Sequence, residues 1–353
     1  MSLHLIQDVQ GLHRHLEAAL QLEHATIPPY LTALYSIRPG TNAEAAQIIR
    51  TVAVEEMLHL TLVANVLNAI GGEVDLTRPG FVPSYPAYLP DGESDFSVDL
   101  RRFSREAVAT FLRIERPASL NDGTIRTVNR EPHPDGIEAA RVDDESDEHF
   151  YSIGEFYMAI ESGLRLLHAQ MGDRLFSGDP ARQIGPEYYY SGGGGLIEVH
   201  DLDTALAALE LIAEQGEGVN DHIFDEEGEI AHYYRFHQLV AGRYYQPGDA
   251  AHHPTGAPVP VDWEAVYPVR TNARLADFPP GLRDKAAAFN ADYGRFLVSL
   301  TEAFGGAPER FTAAVGDMFR LKDGFGQLIR TPLGRGETAA PTFEIDAAME
   351  ALR

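Results

Sequence analysis

Apolar positions recur at three- and four-residue steps over long stretches of the chain, and this periodicity predicts a mainly α-helical protein. Residues 5–37 carry the stripe Val9, Leu12, Leu16, Leu20, Ile27, Leu31 and Leu34, with Pro28 and Pro29 expected to kink it. After the short loop Arg38–Asn42, with Thr41 or Asn42 as N-cap, a second helix runs over about 43–70 and stops at Gly71-Gly72. So short a loop makes the two helices an antiparallel hairpin. Residues 73–104 read as irregular, rich in proline and aromatics. A helix at SREAVATFLRIE follows, and 118–147 form a polar, acidic connection. A third long helix is predicted over about 148–172 and a second irregular excursion over 177–200, with LIEVH as a short strand. A helix capped by Asp201 or Asp203 then runs to about 215, and another spans 228–245. Beyond a Pro/Gly-rich crossing segment, helices are expected at about 281–304 and 309–331, and the tail LGRGETAAPTFEI over the surface. The domain reading is a four-helix bundle over 1–246, with insertions at about 73–147 and 177–227, and a C-terminal helical extension over 247–353 packed on it.

Within two of the predicted helices lies a repeated Glu-x-x-His: Glu56-Met57-Leu58-His59 and Glu229-Ile230-Ala231-His232. On a helix, residues three apart share a face. Two such pairs, plus one Glu from each of two further helices, form the ligand set of a carboxylate-bridged di-metal site in a bundle. Glu23 lies on the Leu16/Leu20/Ile27 stripe, and Glu56 and His59 lie on the stripe of Ile49, Val52, Val63 and Leu67. In the antiparallel hairpin Glu23 and Glu56 reach the same depth. Charges converging in an apolar interior need a partner or a metal. For the third helix Glu161 lies beside the Tyr157/Leu164 stripe and is preferred, with Glu155 as the alternative. Glu217, in a Gly-rich interruption, rivals Glu229. The expected ligands are therefore Glu23, Glu56, His59, Glu161, Glu229 and His232. Tyr30, Tyr157 and Tyr233 lie near the ligands in sequence; packing is the expected role of each, with hydrogen bonding to the carboxylates or a radical as the alternative. A single Glu-x-x-His is common on solvent-facing helices; the pair, with Glu23 in register, is what points to metal.

Composition narrows the chemistry. The chain has 353 residues and a formal charge of −25, which disfavours nucleic acid and provides no polybasic membrane signal. With no cysteine, thiolate metal sites and disulfides are excluded, and a His/carboxylate set suits iron, manganese or zinc. The N-terminal residues lack the pattern of a signal peptide and the apolar runs are interrupted by charge, so no membrane helix and a cytoplasmic location are expected. Gly192–Gly195 lacks the Gly-Lys-Ser/Thr of a phosphate loop.

The segments LEHATIPPYLTALYSI, VEEMLHLTLVANVLNAIGG, FVPSYPAYLP, LRIERP, YSIGEFYMAIESGL, EQGEG and EIAHYYRFHQLV, in this order, resemble the ferritin-like domain of the iminophenyl-pyruvate dimer synthase family. The C-terminal helices resemble that family as well. The resemblance implies a ferritin-like bundle holding two iron ions. It also implies oxidase or oxygenase chemistry on a small organic substrate with O₂ or peroxide, as in the oxidative coupling of aryl-pyruvate imines in secondary metabolism. The large insertions argue against an iron-storage cage; a non-catalytic metal-binding protein or scaffold is the alternative, and a homo-oligomer is left open.

Overall fold

The computed structural model describes residues 6–90, 96–117, 127–129, 148–150, 153–189, 195–216, 223–225 and 228–352. Its organising element is the hairpin of α1 (Val9–Ser36) and α2 (Ala43–Ala69). Residues 18–30 of α1 and 58–69 of α2 are buried all round, the mark of helices sandwiched between two layers. One layer holds α4 (Ile153–Met171) and α5 (Leu202–Gly216), which close a four-helix ring with α1 and α2. Short helices α3 (Arg105–Ile114) and α6 (His232–Ala241) pack on each other and against this ring. The other layer is the hairpin of α7 (Pro280–Phe304) and α8 (Glu309–Ile329), followed by α9 (Asp346–Leu352). Among the described residues, strands are confined to two small antiparallel pairs, β1 (Thr127–Asn129) with β2 (Glu148–Phe150) and β3 (Pro332–Gly334) with β4 (Glu337–Thr338). Among the described residues no helix is long and apolar enough to cross a membrane.

The helix expected to kink at Pro28-Pro29 continues through both prolines. Pro29 cannot donate to the Ala25 carbonyl, and the Tyr85 hydroxyl donates to that carbonyl instead, at 2.8 Å. The first irregular excursion is thus tied to the helix at the point where the helix lacks a donor. The second is clamped to α2 by two buried amides. Asn65 Nδ2 donates to the Ile184 and Ile197 carbonyls at 3.0 and 2.9 Å, and Asn68 Nδ2 to those of Arg182 and Phe304 at 2.9 and 3.0 Å. Trp263 stacks on Phe103 with ring centroids 4.8 Å apart, anchoring the crossing segment.

Three expectations are corrected. LIEVH is extended but not a strand, its backbone bonding to Asn65 and Gln183 rather than to another strand. The tail is not a surface segment: Ala339, Ala340, Phe343 and Ile345 are buried, with Phe343 in ring contact with Phe289, Tyr293 and Phe325. The helix expected over 228–245 begins only at His232 and ends at Gly242, whose φ of 70° closes it, and α5 takes the fourth place in the ring. Residues 118–126 and 130–147 of the acidic connection, Gly192–Gly194 and Glu217 lie outside the described residues.

Replacing Tyr85 with Phe leaves the Ala25 carbonyl buried without its donor. Urea denaturation should show a loss of about 1–2 kcal/mol; an unchanged midpoint would mean that another group satisfies this carbonyl.

Candidate metal centre

Mid-way along the buried hairpin, α1 supplies Glu23 and Thr26, and α2 supplies Glu55, Glu56 and His59. Glu115 is the C-cap of α3, Tyr157 stands on α4, Gln215 on the last turn of α5, and His232 is the first residue of α6. The potential donor atoms form two sets, Glu23/Glu56/His59 and Glu56/Glu115/His232, each within 4.8 Å and all buried. Glu56 belongs to both.

The contacts repeat about this shared carboxylate. His59 Nδ1 lies 3.4 Å from Glu23 Oε2 and 3.9 Å from Glu56 Oε1. His232 Nδ1 lies 2.9 Å from the same Glu56 Oε1 and 3.5 Å from Glu115 Oε2. The other oxygen of each carboxylate accepts from a hydroxyl: Glu23 from Tyr157, Glu115 from Tyr30, and Glu56 from Thr26 at 2.8 Å. Each imidazole's other nitrogen meets an acceptor, His59 Nε2 the Gln215 amide oxygen at 3.0 Å and His232 Nε2 the Glu55 carboxylate at 3.0 Å. In the neutral imidazole, an acceptor at Nε2 selects the tautomer with its proton there and leaves the Nδ1 lone pair facing inward. The two imidazole ring centroids are 5.4 Å apart, with their planes inclined at 23°.

Electrostatically this arrangement is strained without a cation. Burial, then the charges of Glu115 and Glu23, push Glu56 from its ordinary 4.5 up to about 7, against the pull of His232. Burial disfavours charge on the histidines, yet Glu23 raises His59, and Glu115, Glu55 and Glu56 raise His232 well above the usual imidazole value. Burial opposes ionisation of Glu55 too, but His232 and Arg235, whose Nη2 is 3.4 Å away, hold it low. Burial and the neighbouring carboxylates keep Tyr30 and Tyr157 protonated, hence as donors.

The donor set fits metal on this structure's own terms. His232 Nδ1 is buried and 2.9 Å from a carboxylate oxygen, yet makes no hydrogen bond of acceptable angle. The cluster also borders a cavity of about 20 Å³ lined by Glu23, Glu56, His59, Glu115 and Tyr157, with Leu22, Ile114 and Ile212 as apolar wall. Space of this size holds a water or two. Oxygen and imidazole donors without sulfur suit iron, manganese or zinc.

Of the six residues expected from sequence, the fold gathers Glu23, Glu56, His59 and His232. Glu161 faces outward, its side chain 42% exposed and paired with Arg165. Glu155, its alternative, is buried on the first turn of α4 but is not among the gathered donors. Glu229 is also displaced: α6 starts three residues later, so the shared-face argument does not apply, and its side chain is 67% exposed against Arg235. Sequence reasoning missed Glu115. Its signal was present, since Glu115 continues the buried Val108/Phe111 stripe of α3, where a carboxylate has no reason to be unless partnered. Glu55, one residue off the inward face, is buried as the support of His232, and Tyr233 contacts His252, away from the cluster.

A family model for ferritin-like proteins matches residues 16–241. The chain belongs to the ferritin-like family. Dichlorochromopyrrolate synthase of Lentzea aerocolonigenes is 30% identical over 331 residues, which is 84% of this chain but 29% of that enzyme. The crystal structure of a ferritin-like protein from Caulobacter vibrioides superposes with a TM-score of 0.58 at 25% identity, covering 89% of this chain and 93% of that one. The expected ferritin-like bundle with irregular insertions and additional C-terminal helices is therefore the fold of this chain.

The raised Glu56 sets the sign of a pH effect in chelator-treated protein. A carboxyl whose folded pKa exceeds its unfolded value contributes its stability below the unfolded pKa, near 4.5, and loses it as pH rises through about 7. Glu56→Gln, which stays neutral, should match wild-type thermal stability near pH 5 and exceed it by several degrees at pH 8. Parallel melting curves across this range would show that Glu56 does not titrate as described.

Proposed function

We propose that this ferritin-like protein binds two metal ions, iron by preference, and is an oxidase or oxygenase acting on a small organic substrate with O₂ or peroxide. The observation that carries this reading is the sharing of Glu56 between two Glu/His sets. Glu23 and His59 would hold one ion, Glu115 and His232 the other, and Glu56 would bridge them. Two adjacent redox-active ions supply the electrons for O₂ chemistry that protein side chains lack.

The chain's own residues have definable parts in this. Tyr157, Tyr30 and Thr26 each donate to one oxygen of a carboxylate, fixing its rotamer and leaving the other oxygen free. Gln215 and Glu55 orient the imidazoles, and Arg235 offsets the charge of Glu55. Leu22, Ile114 and Ile212 keep the cavity apolar, which excludes bulk water and strengthens charge interactions inside. The relative's name gives dichlorochromopyrrolate as the product of that enzyme, and oxidative coupling of aryl-pyruvate imines is the reaction the sequence resemblance implies. The acidic surface suits a neutral or cationic small molecule better than a polyanion.

Protein expressed in iron-replete medium should contain about two metal ions per chain by elemental analysis. Glu56→Ala should lose both ions and all oxygen uptake, whereas Glu161→Gln and Glu229→Gln should keep full occupancy. Wild-type protein that takes up no metal from iron, manganese or zinc would sink the reading in favour of a non-catalytic scaffold, and uptake far above two per chain would indicate storage. Loss of metal in Glu161→Gln would show that the chain reorganises around the ions.

Glu55→Gln and Gln215→Leu remove only the supports of the imidazoles. Each should weaken metal affinity by about 10–100-fold in a chelator competition while leaving stoichiometry intact. Unchanged affinity in both would mean that the histidines are oriented by packing alone.

A further inference from the structure

On the opposite side of the α1–α2 hairpin from the carboxylates there is a second, much larger space. The cavity has a volume of about 340 Å³ and lies between the outer face of α1–α2 and the α7–α8 hairpin. Protein interiors hold few voids larger than a water molecule, so a space this large requires a structural cause. Ring pairs provide it. Phe311, near the start of α8, meets Tyr189 at 5.8 Å, and Phe325, near its end, meets Tyr35 at 5.0 Å. These bulky contacts hold the two ends of α8 off the hairpin, through the second excursion at Tyr189 and through α1 at Tyr35, while Val315 and Met318 between them line the gap. From the hairpin, Ile27, Leu31, Ala53 and Met57 form the facing wall. The volume falls in the range of small-molecule sites, which are mostly apolar with a few placed polar groups.

The polar groups are at two places. At the buried end, His24 Nε2 lies 2.8 Å from the Tyr293 hydroxyl, and both residues line the cavity. His24 Nδ1 is buried with no hydrogen-bond partner, an unusual state for an interior imidazole. Among the exposed lining residues, which form the rim, are Arg50, Lys322 and Phe319. Arg50 donates to Gln47 at 3.0 Å, and among the described residues neither cation has an acidic partner. Phe319 is 63% exposed. In a chain with 53 acidic and 28 basic residues, two exposed cations without acidic partners among the lining residues of one cavity, together with an exposed ring, favour an anionic head group on an apolar body. The aromatic walls favour a ring in that body, through edge-to-face contacts.

We propose that this cavity is a second ligand site, separate from the metal centre, and that it takes a small aromatic monoanion of the aryl carboxylate or sulfonate class. The body lies between Val315 and the α1–α2 wall, and the acid faces Arg50 and Lys322. This does not rest on the metal reading.

The test uses the metal-loaded full chain and two fluorescent probes, 1-anilinonaphthalene-8-sulfonate and its uncharged analogue N-phenyl-1-naphthylamine. Wild-type protein should bind one sulfonate probe per chain. Val315→Trp, which fills the cavity from α8, should weaken both probes at least tenfold. The surface pair Arg50→Gln/Lys322→Gln should weaken the sulfonate about five- to tenfold and the uncharged probe less than twofold. Metal content and near-UV circular dichroism should match wild type in both variants, which separates failure of this site from failure of the metal centre. The double variant alters only exposed side chains, so it still tests the site if Val315→Trp folds poorly. Binding of several probes per chain, binding that survives Val315→Trp in folded protein, or equal weakening of both probes by the double variant would overturn the proposal.

Discussion

Glu56 is buried at the middle of the hairpin layer within reach of two further buried carboxylates, Glu23 on one side and Glu115 on the other. Like charges this close in a water-poor interior raise one another's proton affinity and oppose folding unless something positive lies between them. The surrounding structure is arranged around that constraint. Two imidazoles face Glu56, three hydroxyls take up the outward oxygens, and Glu55 with Arg235 backs the second imidazole. A histidine nitrogen remains without an acceptable hydrogen bond. This balance is close to complete for a pair of cations and incomplete without them.

The α1–α2 hairpin can bear this burden because it is covered on both sides. A helix pair in an ordinary bundle has a solvent face, but here α7, α8 and the buried tail occupy it. The covering layer shields the centre from behind and also encloses the large apolar cavity. The described parts of the two irregular excursions are fastened to the hairpin. Tyr85 completes the backbone of α1 beside the prolines, and the amides of Asn65 and Asn68 hold the second excursion to α2.

The break between α5 and α6 has a functional consequence. In an uninterrupted fourth helix a Glu-x-x-His would present both side chains from one face, as in the first copy. The interruption instead starts a new helix at His232, which brings the imidazole to Glu56 and leaves Glu229 outside with Arg235. The carboxylate opposite Glu23 comes from the end of α3, a helix within the first insertion. The insertion therefore belongs to the centre itself as well as to its cover.

Sequence alone determined the long helices, the antiparallel hairpin, and the placing of Glu23, Glu56 and His59 at one depth. These depend on short-range periodicity and loop length, which the chain carries locally. It also singled out His232, as the histidine of the second Glu-x-x-His. Tertiary structure decided the rest. Whether Glu161 or Glu155 turns inward depends on how α4 is rotated against its neighbours. Whether Glu229 counts depends on where α6 begins, and helix starts are weakly encoded when no side chain caps them, as at Ala231. Glu115 joins Glu56 from 59 positions away in the chain, a pairing that only the packing of α3 and α6 against the ring could bring about.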